Sequence, residues 1–394
     1  MLDPLRLRES LEEKIEEFLA FERFEEDQRV VWKDFLLEFA SASPEKIAFC
    51  LDAEEWPGAR PSDEIIRHQS VTIPFSKDFS HHQDARDWAL SVLEGVPTLA
   101  VDGSQLMPSK EISVPVSVVQ AGWFLNPHQV GVPFIKDLET EVIGPQELLN
   151  SGSEEKIFHE QYISLKRYQM EIRVLQRLFR EQHAASTDTM AFFDGSLLVS
   201  FAEVLKDFYR NEYLASAIGL LEDSRKFNIP LLGYVDTSVA RDILRMLALF
   251  VGEDLPSSQD GLRDTILMDM VLPNWGDRSI AFQLARPGIL RHYGDAGGGL
   301  GFLYMRTTRD RPPVRIEFPL WLLEANLLEQ VLDVLRAEII VGNGYPYALE
   351  TADQLAFFSP RDRGKFLEML RVFLLENKLS YRMSSKQQSK QRRR

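Results

Sequence analysis

Between residues 97 and 250 the apolar residues change rhythm in an order that few folds accommodate. Residues 97–102, 113–125 and 130–144 read as three strands, the second with Pro115 near its start. Short turn-like segments join them, so an antiparallel meander is the simplest pairing. A helical pattern follows over about 155–183, with no Gly or Pro after Gly152. Then come a strand (190–194), a helix (about 201–226), a strand (230–235) and a helix (about 238–250). Three strands, a helix, and then strands alternating with helices call for a mixed sheet in an α/β fold.

The flanking segments are read more coarsely. Residues 5–42 carry helical stripes through Leu11, Ile15 and Phe18 and through Val31, Phe35 and Phe39. Pro57, Gly58, Pro61 and Ser62 mark a loop, and 83–94 reads as a helix closed by Gly95. Residues 251–278 read as an insertion. Strand character returns in SIAFQL (279–284), GFLYMRT (301–307) and VRIEFPLW (314–321), and helices are expected over 320–341 and 361–376. Gly297, Gly298 and Gly299 precede no Lys-Ser/Thr pair and no helix, so they read as a flexible turn and not a phosphate loop.

Composition bounds the class. A chain 44% hydrophobic and 27% charged can bury a large core. No run approaches the roughly 18 apolar residues that span a bilayer, and the charged N-terminus lacks an apolar signal core. A single cysteine, Cys50, excludes an internal disulfide and a Cys-rich zinc site, and a cytoplasmic setting is expected. The net charge of −15 argues against broad contact with nucleic acid, but its distribution is uneven. After Glu376 there is no acid, and Lys378, Arg382, Lys386, Lys390, Arg392, Arg393 and Arg394 form a basic tail expected to be disordered. The expected organisation is an N-terminal helical region (1–94), an α/β domain (95–376, a core at about 95–250 plus a C-terminal extension) and the tail (377–394).

Two of the strands end in the same tripeptide. PTLAVDGSQ contains Asp102-Gly103-Ser104, and MAFFDGSLL contains Asp194-Gly195-Ser196. An apolar run that delivers a carboxylate needs a partner for the charge, and a metal ion is one such partner. Two strand-to-turn junctions are the alternative, since Asp-Gly is a common turn dipeptide.

The strand order matches that of the ribonuclease H-like fold. Nucleases of that fold place an Asp on the first strand, a Glu on the first helix and an Asp on the fourth strand. Phosphodiester hydrolysis can use two divalent ions about 3.5–4 Å apart, one for the attacking water and one for the leaving oxygen. Hard ions call for carboxylate oxygens. Asp102 and Asp194 occupy strands one and four, and Glu171 borders the apolar stripe of Tyr162, Leu165, Tyr168, Ile172, Leu175 and Phe179 on the helix between them. The alternative for Glu171 is an i−4 ion pair with Arg167.

Four segments in order resemble the NurA nucleases and together cover about residues 95–375. They are AVDGSQ (100–105), the helix with Arg167 and Glu171, FFDGSLL (192–198) and GNGYPYALETADQLAFFSPRDR (342–363). The resemblance implies that Asp102, Glu171 and Asp194 bind metal and that Tyr345 lies near the active site. It implies a strand in the closing block ahead of the last helix. It also implies Mn²⁺, with Mg²⁺ as a substitute, at a two-ion site. Further implications are 5′→3′ exonuclease and single-strand endonuclease activity on DNA in double-strand break repair. The implied partners are a second copy, in a homodimer, and a HerA-like hexameric ATPase; no membrane is involved.

Two departures from the family pattern stand out. Asp353 falls where archaeal members commonly have His; it can still ligate Mn²⁺ or Mg²⁺ but cannot act as a cationic acid. Asp236 stands where many members carry Lys, which removes a phosphate contact. They leave open a catalytically silent DNA-binding or scaffold protein, alongside a nuclease of this fold that acts on RNA. His81 and His82 point apart on any regular element. Arg173, Arg177 and Arg180 line either a nucleic-acid channel or a solvated helix face.

Overall fold

The computed structural model describes residues 2–109, 114–150, 158–257, 261–294 and 299–379. Gly297, Gly298 and the basic tail from residue 380 lie outside them. The chain opens with helices α1 (Pro4–Glu12), α2 (Ile15–Ser41) and α3 (Pro44–Asp52), followed by β1 (Gly58–Pro61), α4 (Glu64–His68), β2 (Thr72–Ile73) and α5 (His82–Leu93). The meander is β3 (Thr98–Leu106), β4 (Ser117–Asn126) and β5 (Ile135–Ile143). Next come α6 (Pro145–Asn150), α7 (Phe158–Ala184), β6 (Met190–Asp194), α8 (Asp207–Phe227), β7 (Leu231–Val235), α9 (Asp242–Val251) and α10 (Asp264–Asp269). Strands β8 (Arg278–Ser279), β9 (Phe282–Ala285), β10 (Leu300–Met305) and β11 (Val314–Pro319) lead to α11 (Trp321–Glu324), α12 (Leu328–Val341), α13 (Tyr347–Ala356) and α14 (Pro360–Glu376). No helix among the described residues is long and apolar enough to cross a membrane.

Two compact units divide the chain. The first gathers Met1–Asp78, Tyr234–Leu290 and Gly299–Phe318. Its strands run β1-β9-β10-β11, with β8 joining β10 to β2. The segment read as the loop after Pro57 is β1, an antiparallel partner of β9 from Gly58↔Ala285 to Pro61↔Phe282. It stands at the end of the strand order, where a proline removes no ladder bond. The segment read as an insertion contributes core: Leu267, Met268 and Leu272 are fully buried.

The second unit gathers Phe79–Gly233, Arg291–Gly298 and Pro319–Arg394. Its strand order is β7-β6-β3-β4-β5. β3, β4 and β5 form the antiparallel meander, and β6 joins β3 in parallel. This is the ribonuclease H-like order. Helix α7 packs on β3, β4 and α8, while α13 packs on β3, β4 and α12. β3 runs four residues past its expected end, because all nine of its residues pair with β4. The closing block holds α13 where a strand was expected. Ala348, Leu349, Ala352 and Ala356 recur at helical spacing and are buried.

Candidate active site

Asp102 is the fifth of nine residues in β3 and is half-buried. Its antiparallel partner is Gly122 of β4. Opposed residues share a face, so Asp102 and Gly122 point one way and Gly103 the other. Each glycine admits a helix. A Cβ on Gly122 would stand 2.8 Å from Leu355 Cβ and 2.9 Å from Ala356 N of α13. A Cβ on Gly103 would stand 2.8 Å from both Cγ and Cδ of Glu171 on α7. The two helices therefore reach β3 from opposite faces at the level of Asp102.

Asp194 ends β6. The parallel register from Thr98↔Met190 to Val101↔Phe193 places it, one step further, beside Asp102. Gly195 then turns the chain at φ +110°, a conformation that excludes a side chain at little strain. The two Asp-Gly-Ser tripeptides thus differ: the first lies inside a strand and the second at a strand end. Tyr345, in the turn between α12 and α13, donates its hydroxyl to Asp194 Oδ1 at 3.1 Å. Asp353 is exposed on α13.

The charges interact. Burial pushes the Asp102 carboxyl up to about 6, and the neighbouring charges of Asp194 and Asp353 add to the rise. Glu171 is 5% exposed, and burial raises its carboxyl to about 7 against the opposing pull of Arg167, with Asp102 and Asp194 contributing to the rise. Arg167 Nη1 donates to Gly103 O at 3.0 Å and stands 3.4 Å from Glu171 Oε1. The Arg167 pair and the buried acid are therefore both present. Glu171 Oε1 is buried and accepts no hydrogen bond among the described residues. Among the described residues, no three His, Cys, Asp or Glu side chains stand close enough to enclose a metal ion.

Other readings resolve differently. Arg173 pairs with Glu141 at 3.1 Å and Arg177 with Glu139 at 3.2 Å, while Arg180 stands 3.9 Å from Asp223. Arg177 also lies over the Trp123 ring, 4.8 Å from its centroid. These three arginines tie α7 to β5 and α8. His81 caps α5 and takes part in a capping box with Asp84. Asp236 belongs to the first unit. The sequence reading overlooked Gln120, Gly122 and Glu338. An isolated glycine inside the valine-rich β4 run is a signal of close backbone approach and would have pointed to Gly122.

An Asp within the first strand, an Asp ending the parallel fourth strand and a buried Glu on the intervening helix define a ribonuclease H-like α/β unit with an acidic centre. The sequence matches the NurA domain over residues 96–358, and the chain belongs to this family of nucleases. Among solved structures, a crystal structure of NurA is similar at 12% identity, covering 71% of this chain and 89% of that one, with a TM-score of 0.43. A second, of NurA with manganese, is 11% identical over 72% of this chain and 89% of that one, with a TM-score of 0.42. The catalytic domain of human endonuclease V is 14% identical over 75% of this chain and 91% of that one, with a TM-score of 0.32. No curated protein matches the chain.

Proposed function

We propose that this protein is a metal-dependent deoxyribonuclease that trims DNA ends for double-strand break repair. In this reading it has 5′→3′ exonuclease and single-strand endonuclease activity. It works in the cytoplasm as a homodimer on a HerA-like ATPase ring. Membership of the NurA family supports this reading. One observation carries it: the strand register sets Asp194 beside the half-buried Asp102, whose carboxyl is raised to about 6 by burial first and then by the charges of Asp194 and Asp353. Such crowding of like charge is unfavourable until a cation joins it.

The chemistry of the donors, though not their present spacing, suits Mn²⁺ or Mg²⁺. All four acids offer hard oxygen ligands, and the buried Glu171 Oε1 accepts no hydrogen bond among the described residues, with Arg167 as its ion-pair partner at 3.4 Å. In this reading Asp102, Asp194, Glu171 and Asp353 would be the residues that hold two ions. Bound there, the metal pair supplies an activated water and neutralises the leaving oxygen. Tyr345 orients Asp194 through its hydroxyl. Arg167 fixes the Gly103 carbonyl and keeps a cation beside Glu171.

The test is cleavage of single-stranded DNA, duplex DNA and RNA with Mn²⁺, alone and with the ATPase ring. The reading expects Mn²⁺-dependent cleavage of DNA, lost in Asp102→Ala and Asp194→Ala. Full activity in those variants removes the site assignment. DNA binding without cleavage under any of these conditions removes the enzyme.

A further inference from the structure

Helix α13, which carries Asp353, is gripped at both ends by buried polar side chains. Glu338 of α12 is completely buried. Its Oε2 accepts from the backbone N–H of Ala348, the second residue of α13, at 2.8 Å. Its Oε1 accepts from the hydroxyl of Thr98, the first residue of β3, at 2.8 Å, and His128 Nε2 stands 3.3 Å away. Thr98 has one proton to give, so it accepts from His128 Nε2 at 2.8 Å, and that nitrogen carries the proton. At the other end Gln120 of β4, also buried, donates its Nε2 to the carbonyl of Ala356, the last residue of α13, at 2.6 Å. Two residues along β4, Gly122 lets the same end of α13 touch the strand.

The Asp353 carboxylate accepts no hydrogen bond among the described residues, so the helix alone decides where it stands. Tyr345 lies in the turn between the two helices that Glu338 ties together. A fully buried carboxylate is a poor device for stability alone, since apolar packing often serves as well. What Glu338 adds is a fixed relation between the start of α13 and the start of β3, the strand that carries Asp102.

We propose that Glu338 and Gln120 are positioning residues, which set α13 and with it Asp353 and Tyr345 against Asp102 and Asp194. The inference rests on the metal-site reading above. It places the control of metal affinity in two side chains that touch neither metal nor substrate.

The test is Mn²⁺ binding to the full chain, followed by the electron paramagnetic resonance signal of the free ion, with thermal melting as a control for folding. Glu338→Ala and Gln120→Leu are expected to weaken Mn²⁺ binding about 10-fold, the lower end of what loss of an outer-shell partner costs. Glu338→Gln should recover most of the loss, because an amide can accept from Ala348 and donate to Thr98 once His128 changes tautomer. The Glu338→Ala effect should shrink in an Asp353→Ala background, leaving only the part exerted through Tyr345, as coupled residues require. If Glu338→Ala does not fold, Gln120→Leu and Glu338→Gln, each alone and with Asp353→Ala, carry the test. Binding within about twofold of wild type in the folded clamp variants, or losses that add in full to that of Asp353→Ala, overturns the inference. An Asp353→Ala chain that binds Mn²⁺ like wild type overturns it too. Wild-type binding by Asp102→Ala overturns the metal site itself, and the inference with it.

Discussion

Each unit contains a cluster of buried or half-buried acids, and the two clusters differ in what surrounds them. In the first unit Asp242, Asp264 and Glu317 are buried around Arg315, itself 2% exposed. Arg315 Nη1 stands 2.9 Å from Asp242 Oδ2, and its Nε donates to Glu317 Oε1 at 2.9 Å. Its guanidinium lies over Phe302 at 3.9 Å, and Arg286 stands 3.6 Å from Asp242. Asp264 accepts from the N–H groups of Ile243 and Leu244 at the start of α9. Burial and the Asp242 charge still push its carboxyl up to about 7. In the second unit, Arg167 is the cation that lowers both Asp102 and Glu171, and it does not cancel their rise. The first cluster brings its own cations and a helix N-terminus, which makes it a structural network. The second keeps negative charge that Arg167 does not offset, and the proposed metal site rests on that difference.

The largest expected effect breaks the first cluster. Arg315→Met leaves three buried acids without their main cation and should cost about 3–5 kcal/mol of stability, read from the urea midpoint. Little change would mean that the network is not what holds these acids. Next, Asp102→Asn should lower Mn²⁺-dependent cleavage a hundredfold or more, equivalent to about 3 kcal/mol, without lowering the melting temperature. A fall in stability to match would make Asp102 as structural as Asp264.

Glu171→Gln sharpens the contrast through pH. The Glu171 carboxyl is raised from 4.5 to about 7, so the folded chain holds its proton more tightly than the unfolded chain does. That stabilisation is fully present below pH 4.5 and is lost as pH rises through about 7. Metal-free Glu171→Gln should therefore be more stable than wild type near pH 8, by up to about 3 kcal/mol, with the gain fading toward pH 4.5. Melting curves at both pH values check the sign. Gly103→Ala, which drives a methyl into Glu171, should cost about 1–3 kcal/mol and displace that carboxylate, visible as weaker Mn²⁺ binding. Arg177→Ala removes an exposed pair with Glu139 and should change stability by less than about 1 kcal/mol.

Much of the second unit was legible from its rhythm. The meander, the long helix and the strand MAFFD carry the periods of their elements, and local period is what a sequence displays. The misreadings have physical causes. Asp102-Gly103-Ser104 looks like a turn, yet it pairs throughout with β4, because Gly103 is there to admit Glu171. GARP looks like a loop because proline and glycine dominate it, but an edge position tolerates both. The buried grip of Glu338 on Thr98 and Ala348 joins residues 240 apart in the chain in one direction and 10 in the other, and no local pattern encodes it.

By itself the sequence determined the meander, the long helix and the strand after it, the delivery of Asp102 and Asp194 on the first and fourth of these strands, and the place of Glu171 on the helix between them. These follow from backbone periodicity and from the burial of apolar side chains, which act over a few residues. Tertiary structure alone decided which acids would be left short of cations. It did so because α7 closes on Gly103 of β3 and α13 on Gly122 of β4 from opposite faces, while Arg315 fills the corresponding need in the first unit. Charge balance depends on distance in space, and only the folded chain sets that distance.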